Sequence, residues 1–156
     1  MEKATLAAGC FWGVESTFRN VPGVKDVVVG YTGGHVEDPS YEQVCRTDTG
    51  HAEAVEITYD PNEVNFEALL NVFWDSHNPT TLNRQGPDVG SQYRSAIFFH
   101  DSDQQVIAEE SKTKLNESGR FANPVVTEVS PASQFYRAEE YHQRYFEKHG
   151  LSHCKI

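Results

Sequence analysis

One junction constrains this chain more than any other stretch: Gly9-Cys10-Phe11-Trp12-Gly13. Leu6-Ala7-Ala8 before it is small and apolar, which suits a buried strand. Val14-Glu15-Ser16-Thr17-Phe18-Arg19 after it puts Val14 and Phe18 four apart on one helical face. Gly9 permits a tight turn, and Gly13 keeps the first helical turn uncrowded. Pro22-Gly23 then turns the chain into valine-dense Val24 to Tyr31, a buried strand. The result is a β-α-β unit with Cys10 where strand becomes helix. A chain that begins this way must build a sheet and lay helices on it.

The remaining pattern extends that plan. Lys3 to Ala8 reads as the first strand and Phe11 to Asn20 as the first helix. Val36 to Thr49 is polar and turn-rich, too long for a plain connector, and so a carrier of function. Glu53 to Tyr59 reads as a strand in which Glu53, Val55, Ile57 and Tyr59 share one face. Asn65 caps a helix from Phe66 to about His77 with Leu69, Leu70 and Phe73 as its core stripe. Thr80 to Gln92 is a second long polar loop. Tyr93 to Phe99 reads as a strand with Tyr93 leading one face, and Asp101 or Ser102 caps a helix to about Asn116. A short strand is expected over Val125 to Val129 and a last helix over Ala138 to His149. The expected fold class is α+β, a ferredoxin-like two-layer sandwich with a mixed β-sheet and packed helices. The expected organisation is a single domain over 1–156 whose short tail, about 150–156, carries Cys154.

Composition narrows the function classes. A formal net charge of −10 repels nucleic acid and anionic membrane, so neither is expected as a partner. Three cysteines, Cys10, Cys45 and Cys154, cannot close a set of disulfides, which points to a reducing compartment rather than a secreted scaffold. Ala4 to Val14 faintly imitates a signal or lipidation segment, but Glu2 offsets Lys3 and few apolar residues precede Cys10. No stretch is long enough to span a membrane. A cytoplasmic monomer is expected.

The chemistry centres on Cys10. A thiol at a helix N-terminus meets unpaired N–H groups and the positive end of the dipole, both of which favour the reactive thiolate. Phe11 and Trp12 beside it can wall an apolar pocket, or simply fill core. Glu53 begins an apolar face, so either it is desolvated with a raised pKa or it lies at a wet strand end; alternation does not choose. A second cysteine near a terminus, Cys154, is what a redox thiol needs to form a disulfide, and Cys45 offers the same. The competing uses are a metal site, with His51, Glu53, His149, His153 and Cys154 as donors but no finger spacing, and a Cys-His hydrolase whose base the sequence does not single out.

Four longer motifs carry a resemblance. Gly9-Cys10-Phe11-Trp12-Gly13, Gly30-Tyr31-Thr32-Gly33-Gly34, Gly50-His51-Ala52-Glu53-Ala54-Val55 and Arg84-Gln85-Gly86-Pro87-Asp88-Val89-Gly90-Ser91-Gln92-Tyr93-Arg94-Ser95 stand in the order they have in the A-type peptide methionine sulfoxide reductases, and the likeness runs over nearly the whole chain. The resemblance implies reduction of methionine-S-sulfoxide, free or in proteins. Cys10 is then the nucleophile and Glu53 the proton donor to the sulfoxide oxygen. Tyr41 and Tyr93 are hydrogen-bond donors to that oxygen, Phe11 and Trp12 an enclosure for the S-methyl group, Asp88 a ligand of the substrate backbone nitrogen, and His51 a support of the pocket. It further implies a Cys10 sulfenic acid, a Cys10–Cys154 disulfide, thioredoxin as the reductant, and neither cofactor nor metal. Many members carry a longer tail with two cysteines; here Cys154 stands alone and Cys45 is read as structural. A thiol peroxidase is the alternative. It would use Cys10 and Cys154 without needing Glu53 or the aromatic pair.

Overall fold

The computed structural model describes residues 1–150; the reading of the tail and of Cys154 lies outside them. The β-α-β start is present: β1 (Glu2–Ala8), α1 (Phe11–Arg19) and β2 (Val24–Thr32). A short helix, α2 (Tyr41–Arg46), interrupts the first polar loop. It then passes to β3 (Ala52–Tyr59) and α3 (Phe66–Ser76), whose N-cap Asn65 accepts from the Ala68 N–H. The second polar loop holds a tiny hairpin, β4 (Arg84–Gln85) with β5 (Asp88–Val89). Next come β6 (Ser95–Phe99), α4 (Ser102–Glu117) capped by Asp101, β7 (Glu128–Pro131), β8 (Tyr136–Arg137) and α5 (Tyr145–Lys148).

The main sheet has the order β7-β6-β1-β3-β2-β8. Its inner four strands are antiparallel neighbours, and the chain visits them as βαββαβ. This is the ferredoxin-like arrangement. β7 adds a parallel edge to β6, and β8 an antiparallel edge to β2.

Alternation explains why the helices cover one face. Ile97, Leu6, Val55 and Val29 lie opposite one another across β6, β1, β3 and β2. All four are fully buried against Phe11, Val14 and Phe18 of α1 and Leu69, Leu70 and Phe73 of α3. Each such side chain contributes roughly 1.5–3 kcal/mol through burial. The other face is built from Ala7, Ala52, Ala54, Ala96 and Phe98, with Ala132 and Phe135 packed on it. Small side chains let the chain that follows β7 lie close to the sheet.

Three of the expected elements differ from the sequence reading by more than one residue. The strand expected from Tyr93 begins at Ser95, because the Tyr93 N–H bonds the Gly90 carbonyl and closes a 3-10 turn over Ser91–Tyr93. The strand expected over Val125 to Val129 is Glu128–Pro131. The Val125 N–H is taken by Asn116 Oδ1 and the Val126 N–H by the Pro79 carbonyl, so the ladder starts later. The helix expected over Ala138 to His149 is instead a 3-10 turn at Glu140–His142, a left-handed Arg144 (φ 55°) and the four-residue α5. Tertiary partners decide this. The Ala138 N–H bonds the Val29 carbonyl, the Gln143 amide bonds both N–H and C=O of Val29, and the Arg144 N–H bonds Glu15.

Candidate active site

Gly9 turns the chain at φ 95°, and a Cβ there would meet Gln85 Cγ at 2.9 Å. The β4–β5 hairpin therefore lies directly over the turn that presents Cys10. Cys10 is the N-cap of α1 and is half-buried.

The next residue ties the thiol's helix to a carboxyl. The Phe11 N–H donates to Glu53 Oε1 at 3.3 Å. Glu53 faces the same side of β3 as Val55 and Ile57, opposite Tyr31 of β2, and is 1% exposed. Its second oxygen, Oε2, is buried with no hydrogen-bond partner among the described residues. Burial pushes the Glu53 pKa up to about 8, the Phe11 N–H opposes this, and the charge of Asp88 adds to it. At pH 7 the carboxyl is protonated and its O–H is available.

Two phenols stand around this carboxyl. Tyr41 opens α2, whose start is fixed by a capping box between Ser40 and Gln43. Tyr93 comes from the 3-10 turn after the hairpin. Burial first, and then the nearby Glu53 charge, raise both phenols above their ordinary range, so both remain donors. Cys45, four residues after Tyr41 on α2, lies beside both phenols, and burial pushes its thiol up. The charge of Cys10 also reaches Tyr93. Asp88, half-buried on β5, acts electrostatically on both Glu53 and Tyr93.

An aromatic wall completes the site. Phe11 lies 5.7 Å from Tyr31 and 6.4 Å from Tyr41, ring centre to ring centre. Trp12 stacks on Tyr145 at 3.8 Å with the planes 7° apart, and its indole N–H donates to His142 Nδ1 at 3.0 Å. The arrangement joins a thiol at a helix start, a neutral buried acid, two phenolic donors and an apolar enclosure. Such a set can accept an oxygen atom from a polar S=O group while holding the apolar groups on sulfur.

A family model described as peptide methionine sulfoxide reductase matches residues 2–156. The chain belongs to that family. Among the reductase's relatives, the peptide methionine sulfoxide reductase MsrA of Methanosarcina acetivorans is 61% identical over 151 residues, which span 97% of this chain and 80% of that protein. Mxr1 from Saccharomyces cerevisiae in reduced form superposes with a TM-score of 0.91 at 35% identity, covering 98% of this chain and 88% of that one. Mxr1 in complex with Trx2 gives a TM-score of 0.66 at 27% identity, covering 92% and 84%.

The structure brings Cys10, Phe11, Trp12, Tyr41, Glu53, Asp88 and Tyr93 of the reductase together. His51 stands apart in role. Its Nδ1 accepts from the Gly34 N–H and its Nε2 therefore donates to the Val36 carbonyl at 2.7 Å, so both ring nitrogens brace the loop that leads to α2. Sequence reasoning missed Tyr31, Glu139, His142 and Tyr145. Glu139 accepts from the Tyr31 hydroxyl at 2.8 Å and from the Tyr41 N–H at 3.0 Å, which anchors α2. Glu139, His142 and Tyr145 lie about 100 or more positions from their partners in α1 and α2, and no local pattern marks them. A groove of about 490 Å³ between α3 and α4, lined by Trp74, Ile107 and Leu115 among others, holds none of the site residues. Among the described residues no three metal-ligating side chains converge, and no helix is long and apolar enough to cross a membrane.

Proposed function

We propose that this reductase acts on the S epimer of methionine sulfoxide, free and within proteins, with Cys10 as nucleophile and Glu53 as acid. The observation that carries the reading is the buried, unpartnered Oε2 of Glu53, on a carboxyl held neutral beside the helix that presents Cys10. A sulfoxide oxygen leaves poorly until it is protonated, and a buried acid with a pKa near 8 holds that proton at neutral pH. The Cys10 thiolate attacks the sulfoxide sulfur. Glu53 protonates the oxygen, while Tyr41 and Tyr93 donate hydrogen bonds as charge develops on it. The S–O bond breaks and the oxygen ends on Cys10 as a sulfenic acid, releasing methionine. Phe11 and Trp12 enclose the S-methyl group, and Asp88 receives the substrate's backbone N–H.

Recycling follows from thiol chemistry. The Cys154 thiol attacks the sulfenic sulfur, water leaves, and a Cys10–Cys154 disulfide remains. Two electrons from a dithiol restore both thiols. Thioredoxin is the proposed donor, in keeping with the solved complex of Mxr1 with Trx2. The chain works as one domain, 1–156, whose tail from about residue 150 supplies the resolving cysteine. A reducing cytoplasm is the setting that keeps such thiols reduced between turnovers.

The deciding assay follows methionine production from methionine-S-sulfoxide with dithiothreitol. Wild type turns over many times and Cys10→Ser does not. No methionine from either epimer with wild-type protein overturns the reading.

A further inference from the structure

His142 takes no part in the chemistry above, yet it is 1% exposed and lies at the centre of the aromatic wall. Its ring is 4.4 Å from Tyr41, 5.3 Å from Phe11 and 5.6 Å from Trp12, centre to centre. An indole N–H can only donate, so His142 Nδ1, 3.0 Å from Trp12 Nε1, is the acceptor and carries no proton. In the neutral ring the proton is then on Nε2, which is buried and has no hydrogen-bond partner among the described residues. The ring has no second tautomer that keeps the Trp12 contact.

The segment that delivers His142 is firmly tied down. Gln143 bonds both backbone groups of Val29, the Arg144 N–H bonds the buried Glu15, and Glu139 takes the Tyr31 hydroxyl and the Tyr41 N–H. Tyr145 stacks flat on the Trp12 ring system. The indole is thus clamped between a stack and one hydrogen bond, while the same imidazole backs the Tyr41 ring.

We propose that His142 is a positioning residue: a neutral imidazole, protonated at Nε2, that orients the Trp12 indole and so sets the apolar enclosure for the sulfoxide's methyl group. This inference deepens the functional reading above and rests on it. The enclosure acts on binding before it acts on chemistry, so its loss falls on KM more than on kcat.

The chain has two tryptophans, which makes the contact readable. In a proton–nitrogen NMR spectrum the indole N–H of Trp74, which donates to Ser111 Oγ at 2.7 Å, serves as an internal control of folding. His142→Phe keeps a ring and removes the acceptor. The Trp12 indole signal should move upfield while that of Trp74 stays, and KM for methionine-S-sulfoxide should rise about tenfold with kcat within about twofold. His142→Asn, whose Oδ1 can stand where Nδ1 did, should restore most of the KM and the Trp12 shift. A folded His142→Phe with the wild-type Trp12 signal and KM overturns the proposal. If His142→Phe does not fold, His142→Asn and His142→Gln decide: a lower KM in the Asn variant supports the positioning role, and equal values overturn it. Failure of the functional reading looks different, because wild type then reduces no sulfoxide while the indole signal still reports the contact.

Discussion

The Phe11 N–H donates to Oε1 of Glu53 across 42 residues of sequence, and Oε2 is left buried and unpartnered among the described residues. One backbone bond therefore couples the helix that presents the thiol to the carboxyl proposed to act as the acid beside it. It also leaves one carboxyl oxygen for substrate.

This pairing predicts an alkaline limit on activity. In the proposed mechanism Glu53 acts in its protonated form, and its pKa of about 8 means that kcat/KM should fall about tenfold per unit above pH 8. Glu53→Gln should be slower by a factor of about 10²–10⁴ and should lose that limb of the profile. A pH–rate series on both proteins checks it.

The same carboxyl should weaken the fold at neutral and alkaline pH. Between 4.5 and about 8 the folded protein keeps a proton that the unfolded carboxyl has lost, so this group's contribution falls as pH rises through that window. Glu53→Gln should be more stable than wild type at pH 7, by at most about 3 kcal/mol, and equal to it near pH 4. Urea unfolding at the two pH values measures the difference.

Cysteine variants separate chemistry from recycling. With thioredoxin as reductant, Cys154→Ser should stall after about one equivalent of methionine, and dithiothreitol should relieve the stall. Cys45 lies beside Tyr41 and Tyr93 with its thiol pushed up by burial, and it is expected to stay out of the relay. Cys45→Ser should therefore keep multiple turnovers with thioredoxin, as a stopped assay would show.

Removing either phenol should lower kcat. Tyr41→Phe and Tyr93→Phe each delete one donor near Glu53 and should reduce kcat by roughly 10- to 100-fold, with KM little changed. Steady-state kinetics on the single and double variants would reveal whether the two donors act on one oxygen, since shared action gives a non-additive pair.

Gly34 is closed to a side chain. A Cβ there would collide with His51 N and Thr49 O, on the segment that leads into β3 and Glu53. Gly34→Ala should cost about 1–3 kcal/mol in stability, and more if the Gly34–His51 bond breaks. A urea midpoint shift reads this directly.

Much of this was legible in the chain. Apolar alternation in β3 placed Glu53 on the core face, because successive strand side chains must point to opposite sides. The Gly9-Cys10 turn before an i, i+4 apolar pair placed the thiol at a helix start. The capping box Ser40 to Gln43 was also written there and would have located α2, and with it Tyr41, inside what read as loop. Alternation could not say whether Glu53 was wet. That depended on α1 arriving overhead and on the β4–β5 hairpin lying over Gly9.

The sequence by itself determined the periods: which residues alternate, which repeat every turn, and where glycine and proline end an element. Those are local consequences of backbone geometry, and they sufficed for the βαββαβ core and for the thiol's position. Only the tertiary structure decided residues 138–149. Their apolar spacing suits a helix, but Val29 and Glu15 offered stronger partners to Ala138, Gln143 and Arg144 than a helical ladder did. That long-range competition brought His142 and Tyr145 onto Trp12, and Glu139 onto Tyr41. Hydrogen-bond partners more than 90 residues apart leave no periodic trace, because nothing in a local pattern records which distant groups will be left unsatisfied.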